Sequence, residues 1–109
     1  MRLFDDYQKR AARTRNPKLS AEEAIAQSGL GIAGEAGEVA DYLKKVLFHG
    51  HSVDVEKIRA ELGDVLWYVA DLATTYGIDL SDVAEANIAK LEARYPEGFT
   101  EERSVHRKG

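Results

Sequence analysis

Four carboxylates stand in two short pairs, Glu35-x-x-Glu38 and Glu61-x-x-Asp64, each inside a segment that otherwise has the pattern of an apolar helix. Residues three apart share a helix face, so each pair points two acids the same way. Two such helices side by side gather four negative oxygen donors at one spot. Unit charges about 4 Å apart repel by roughly 4 kcal/mol at a moderate effective dielectric, so such a spot calls for a cation. Hard divalent ions of the magnesium type prefer carboxylate oxygens. The neighbours agree. Gly34-Glu35-Ala36-Gly37-Glu38-Val39-Ala40 and Glu61-Leu62-Gly63-Asp64-Val65-Leu66 flank the acids with small or apolar residues, not with the lysines that accompany most surface glutamates. Small neighbours leave room for a ligand. Glu35, Glu38, Glu61 and Asp64 are the expected metal ligands.

Other chemistries fit less well. A di-iron carboxylate bundle needs Glu-x-x-His on two helices, but Asp41 follows Glu38 by three and Trp67 follows Asp64 by three. His49-Gly50-His51 has the look of a ligand pair, yet it sits in a loop without a matching third ligand and reads as a solvated turn. The chain has no cysteine, which excludes disulfides, thiolate metal sites and a cysteine nucleophile. Neither a Walker loop, a dinucleotide fingerprint nor a nucleophile elbow is present. Metal-assisted displacement with water as the nucleophile remains.

The elements that must position the acids are helical. Apolar residues recur at three- and four-residue spacing, and strand alternation is absent. The first helix is expected from about Leu3 to Thr14, ending before Asn16-Pro17. The second opens with Ser20 and Glu23 as a capping box and runs to about Phe48, before Gly50. Gly29, Gly31, Gly34 and Gly37 lie inside it. Each costs up to about 1 kcal/mol relative to alanine in a helix, so close packing, a close ligand or a break near Gly29 to Gly31 is expected there. The third helix runs from Asp54 or Val55 to Tyr76, with Gly77 as its C-terminal cap. Ile58, Leu62, Val65, Val69, Leu72 and Tyr76 form its apolar stripe, and Glu61, Asp64, Tyr68, Asp71 and Thr75 a polar stripe beside it. The fourth runs from about Ser81 to Arg94, with Val83, Ala84, Ile88 and Leu91 facing inward. Residues 1–99 then make one all-α, four-helix domain, and 100–109 a polar C-terminal tail.

At 109 residues the chain fits a single domain. One this small buries about 60–70% of its unfolded surface, so four helices give a thin core and self-association is expected. A net charge of -4 without a basic stripe argues against duplex nucleic acid as a partner. No signal peptide or membrane span is evident, so the cytoplasm is the expected compartment.

Three stretches carry a resemblance to a known family. They are Gly31-x-x-Gly34-Glu35-Ala36-Gly37-Glu38-Val39-Ala40-Asp41, Glu61-Leu62-Gly63-Asp64-Val65-Leu66-Trp67-Tyr68, and Asn87-x-x-Lys90-Leu91-x-x-Arg94-Tyr95-Pro96. Together they resemble the MazG-type nucleoside triphosphate pyrophosphohydrolases over nearly the whole chain, and all four acids match the motif. The resemblance implies an all-α fold assembled as a homodimer or homotetramer. It implies hydrolysis of a (d)NTP between the α and β phosphates, giving (d)NMP and pyrophosphate, with Mg2+ or Mn2+. A dUTP- or dCTP-type all-α pyrophosphatase and a non-catalytic nucleotide- or partner-binding module are the alternatives.

On that reading Glu35 or Glu38 also orients or deprotonates the attacking water, and the sequence does not choose between them. Cationic partners for the phosphates are Lys45, seven residues after Glu38, and Lys90 and Arg94, which share a stripe with Asn87. Lysine suits point-charge contacts and arginine bidentate ones. Asn87 stands where a leucine would pack among Val83, Ala84, Ile88 and Leu91, and a buried amide needs partners. Tyr68 continues the Glu61/Asp64 face toward substrate, whereas Trp67 is expected in the core or an interface.

Overall fold

The computed structural model describes residues 2–106, and all of its regular elements are helices: α1 (Arg2–Ala12), α2 (Ala21–Phe48), α3 (Val55–Thr75), α4 (Leu80–Arg94) and α5 (Glu101–Val105). The four expected helices are present and α5 is additional. Thr100 caps α5 inside the segment read as a polar tail; residues 107–109 lie outside the described residues. Among the described residues, no helix is long and apolar enough to cross a membrane.

Local chemistry sets the helix ends. Ser20 and Glu23 form the reciprocal capping box that starts α2. Asp54 accepts from the Glu56 N–H and starts α3. Gly77, at φ +68°, closes α3 as a Schellman motif: the Ile78 N–H reaches Ala73 O at 2.8 Å, and the Gly77 N–H reaches Thr74 O at 3.1 Å. Despite its glycines, α2 is unbroken.

The two long helices form an antiparallel hairpin with a fixed register. Ser28 meets Asp71 through a 2.5 Å hydrogen bond. Gly31 lies under the Tyr68 ring, where a Cβ would overlap the ring carbons. Near the hairpin tip the Lys57 ammonium sits 5.3 Å from the Tyr42 ring centre. Each of these residue pairs has the same total when its two numbers are added, so α3 does not slip along α2. The spacing alternates three and four, as in a two-helix seam. Glu35 opposite Asp64, and Glu38 opposite Glu61, occupy the two seam levels left between Gly31 and Tyr42.

The seam is therefore made of the polar stripe of α3. Asp71 is buried there, and so is Ser28. Arg15 donates from Nε to Asp71 Oδ1 at 2.6 Å and from a guanidinium NH2 to Thr75 Oγ1 at 2.6 Å, which balances the buried carboxylate. The expected apolar stripe of α3 is only partly covered, with Leu62 55% and Tyr76 60% exposed. The expected inward face of α4 is open as well, with Ile88 45% exposed. The reason is geometric: α4 packs on α1 and α3, and among the described residues its Val83/Ile88/Leu91 side stays part-exposed. The radius of gyration is 16.9 Å, against about 13 Å for a compact domain of about 100 residues.

Helix α1 ties the ends together. Gln8 donates to Thr74 Oγ1 and Ile78 O, and accepts from the Leu80 N–H at 2.7 Å. Asp5 accepts from the backbone N–H and the hydroxyl of Ser81. Those bonds hold its carboxyl below the usual value and cap α4, whose own Asp79 makes no side-chain cap.

Two expectations follow for urea unfolding at matched protein concentration. Asp71→Ala leaves Arg15 without its carboxylate and Ser28 without its acceptor, and is expected to lose about 3 kcal/mol. Gly31→Ala is expected to lose about 1–3 kcal/mol by overpacking Tyr68, whereas Gly29→Ala, whose new methyl meets nothing within 4 Å among the described residues, should gain up to about 1 kcal/mol. Equal effects at the two glycines would contradict the described contact.

Candidate active site

Two adjoining seam levels carry the acids. One carboxylate oxygen from each of Glu35, Glu38 and Glu61 lies within 4.8 Å of the others. Asp64 adjoins this group rather than joining it: it lines a neighbouring pocket with Glu35, Trp67 and Tyr68, and its charge acts on Glu35. Glu35 Oε2 and Glu61 Oε2 are buried and accept no hydrogen bond. Buried acceptors ordinarily find a donor, so two such oxygens facing a third carboxylate are a strained arrangement as they stand. Burial is the main cause that pushes the Glu35 carboxyl above its usual value. The negative charges of Glu38, Asp64 and Glu61 add to it, as does a hydrogen bond with Glu38. An all-oxygen, strongly anionic donor set of this kind suits a hard divalent cation.

Two pockets extend from the acids in opposite directions along the hairpin. Toward the tip, a cleft of ≈ 670 Å³ is lined by Glu38 and Glu61, then Asp41, Tyr42, Lys45, His51 and Lys57. Toward the other end lies the pocket of Glu35, Asp64, Trp67 and Tyr68. There the two rings stand edge to face, with centres 5.0 Å apart. Tyr7 of α1 lies close enough for Asp64 to act on its hydroxyl; burial first, and that charge second, push its pKa up.

Of the expected substrate residues, the chain places Lys45 and Tyr68 beside the acids. Lys45 pairs with Asp41 at 2.9 Å. Asn87, Lys90 and Arg94 line neither pocket. Asn87 is exposed, not packed among its apolar neighbours, because α4 keeps that face open. Sequence reasoning set His51 aside as part of a solvated turn and did not consider Lys57. The signal for Lys57 was present, since it continues the Glu61/Asp64 stripe by one turn. The signal for His51 was not, since only the folded loop brings it to the cleft. Gln8 is engaged by the turn before α4, and the Thr14 hydroxyl accepts from Trp67 Nε1 at 2.8 Å.

The model of the MazG nucleotide pyrophosphohydrolase domain matches residues 23–99. The chain belongs to that family. Both acid pairs and the aromatic pair after them fall within the matched span. The Gene 37 protein of Mycobacterium phage L5 is 40% identical to this MazG chain over 80 residues, which is 70% of each protein. No solved structure matches.

The raised Glu35 value has a consequence for stability. A carboxyl with a higher pKa in the folded than in the unfolded chain makes the folded state bind more protons. Metal-free stability therefore falls as pH rises from the ordinary 4.5 through the raised folded value. Glu35→Gln removes that dependence. In a chelator, thermal unfolding of the variant is expected at higher temperature than wild type near neutral pH, with a flatter pH profile. Added divalent cation should then raise the wild-type midpoint more than the variant's.

Proposed function

We propose that this MazG protein is a magnesium-dependent pyrophosphohydrolase that cleaves a nucleoside or deoxynucleoside triphosphate between its α and β phosphates. One observation carries the reading: Glu35 and Glu38 of α2 converge with Glu61 of α3 across the seam, Asp64 adjoining them, with buried oxygens of Glu35 and Glu61 unsatisfied. Residues 1–99 serve as the catalytic domain on this reading, and the cytoplasm, where nucleotides are made and used, is its compartment.

Glu35, Glu38, Glu61 and Asp64 are the residues we assign to hold Mg2+, or Mn2+ in its place. When bound, the ion would supply Lewis acidity and offset the charge between the carboxylates and a polyphosphate. The residues do the rest. Water attacks the α-phosphorus in line; the new P–O bond forms as the bond from the α-phosphorus to the bridging oxygen breaks, and pyrophosphate leaves. Glu35 and Glu38 are the candidates to orient that water and take its proton. Of the two, Glu35 is the more enclosed and the one whose basicity is raised, as a general base requires. Lys45 supplies a point charge for phosphate oxygens, and Tyr68 a ring and hydroxyl beside the acids.

We further assign the partner of the open apolar faces on α3 and α4 to a second copy of the chain, as a homodimer or a pair of dimers. The thin core and the extended single chain support this. Asn87, Lys90 and Arg94 belong to α4 and would meet substrate only through such an assembly.

Two measurements test the proposal. Pyrophosphate release from a panel of nucleoside triphosphates should require Mg2+ and fall by at least about 10²-fold in Glu38→Gln while the variant keeps its helical circular dichroism. Equal turnover by the variant would refute the ligand assignment. Light scattering should return a mass at least twice the chain's 12.1 kDa; a monomer would refute the assembly.

A further inference from the structure

The two pockets flanking the acids differ in chemistry, and the difference gives the site a direction. Toward the loop between α2 and α3, the walls are polar: Lys45 and Asp41 from α2, His51 from the loop, Lys57 from α3. The aromatic ring at that end, Tyr42, offers little to a base. Its face is covered by the Lys57 ammonium, and its hydroxyl accepts from the Asp54 N–H at 2.8 Å and donates to Ser52 O at 3.3 Å. Those two bonds pin the loop to α2. Gly50, at φ +75°, turns the chain, and the His51 N–H closes onto Lys45 O at 3.2 Å. The loop is thus built to hold the His51 imidazole at the wall of the cleft. At the opposite end of the acids stand Trp67 and Tyr68, edge to face, with Asp64 and Glu35.

We propose that the hairpin-tip end of the cleft is the seat of the substrate's terminal phosphates, with His51 as a phosphate contact beside Lys45 and Lys57. The nucleotide would then lie along the seam with its nucleoside toward Trp67 and Tyr68. This rests on the pyrophosphohydrolase reading and goes beyond it by fixing the substrate's direction and assigning His51 and Lys57 a role.

Charge supports that direction. The leaving pyrophosphate is the most anionic part of the substrate, and the tip is the end of the cleft where cationic groups collect. Both lysines are held in reserve by exchangeable carboxylates: Lys45 Nζ is 2.9 Å from Asp41 and Lys57 Nζ 3.8 Å from Glu61. Both lysines are part-exposed, so each ion pair is worth little and yields readily to a phosphate. From Glu38 to Lys45 the helix advances two turns, about 10 Å, which leaves length for more than one phosphate beyond the acids. The imidazole supplies an N–H donor in either protonation state.

The test is calorimetric titration of inorganic pyrophosphate with Mg2+ into wild type, His51→Ala, His51→Gln and Lys45→Ala/His51→Ala, with a nucleoside monophosphate as the second ligand. The double variant should bind pyrophosphate at least about tenfold more weakly, the scale of one lost charge-assisted hydrogen bond. Its monophosphate affinity should stay within about twofold. His51→Gln, which keeps an N–H donor, should retain more pyrophosphate affinity than His51→Ala. The His51 side chain is exposed, and an unchanged unfolding midpoint verifies the fold. Wild-type pyrophosphate affinity in the double variant, an equal loss for both ligands, or no pyrophosphate binding by wild type would each overturn the proposal. Failure of the hydrolase reading would show separately, as wild type that binds pyrophosphate but releases none from any triphosphate.

Discussion

Everything at the site depends on the register of α3 on α2. A hairpin whose seam carries Glu35, Glu38, Glu61 and Asp64 holds mutually repelling charges where apolar side chains would normally sit. Left alone, that repulsion favours sliding or splaying the helices. The levels on either side oppose it. At one end the Ser28–Asp71 bond is buried and Arg15 closes onto it, and Tyr68 rests on Gly31, where a side chain would not fit. At the other, Tyr42 holds Lys57 and the start of α3. The acids are confined between two clamps, and a divalent ion bound there would turn the weakest level of the seam into one of its strongest.

Much of this was legible in the sequence. The capping box at Ser20 and Glu23, the stop at Gly50 and the Gly77 cap are local signals, and the helix limits follow them closely. The acid pairs were legible because an i, i+3 pair among small residues is unusual. What the pattern left open is which helix each stripe of α3 meets. Ile58, Leu62, Val65 and Leu72 have the spacing of a core face, but hydrophobic period alone does not say which helix a face meets. Asp71 lies on the other stripe, and it is among the most buried residues of the chain. Its seven-residue spacing from Asp64 was the available clue. Asn87 is exposed in the single chain for the same reason: α4 keeps its apolar side open.

Helix α1 shows how thinly the single chain is held. Gln8 and Asp5 of α1, and Arg15 just after it, make hydrogen bonds across to α3, α4 and the turn between them. Polar clamps of this kind give orientation more than free energy, and few large apolar side chains are fully enclosed. A site that needs carboxylates set closely against each other therefore rests on a scaffold with open apolar faces. The proposed assembly would cover those faces on α3 and α4.

The most direct test of the central claim is a crystal structure of the protein grown with Mn2+, with data collected at a wavelength where manganese scatters anomalously. The account predicts an anomalous peak between α2 and α3, within about 2.5 Å of carboxylate oxygens from both the Glu35/Glu38 and the Glu61/Asp64 pairs. A peak elsewhere, or carboxylates turned away to solvent at millimolar manganese with no peak between them, would contradict it.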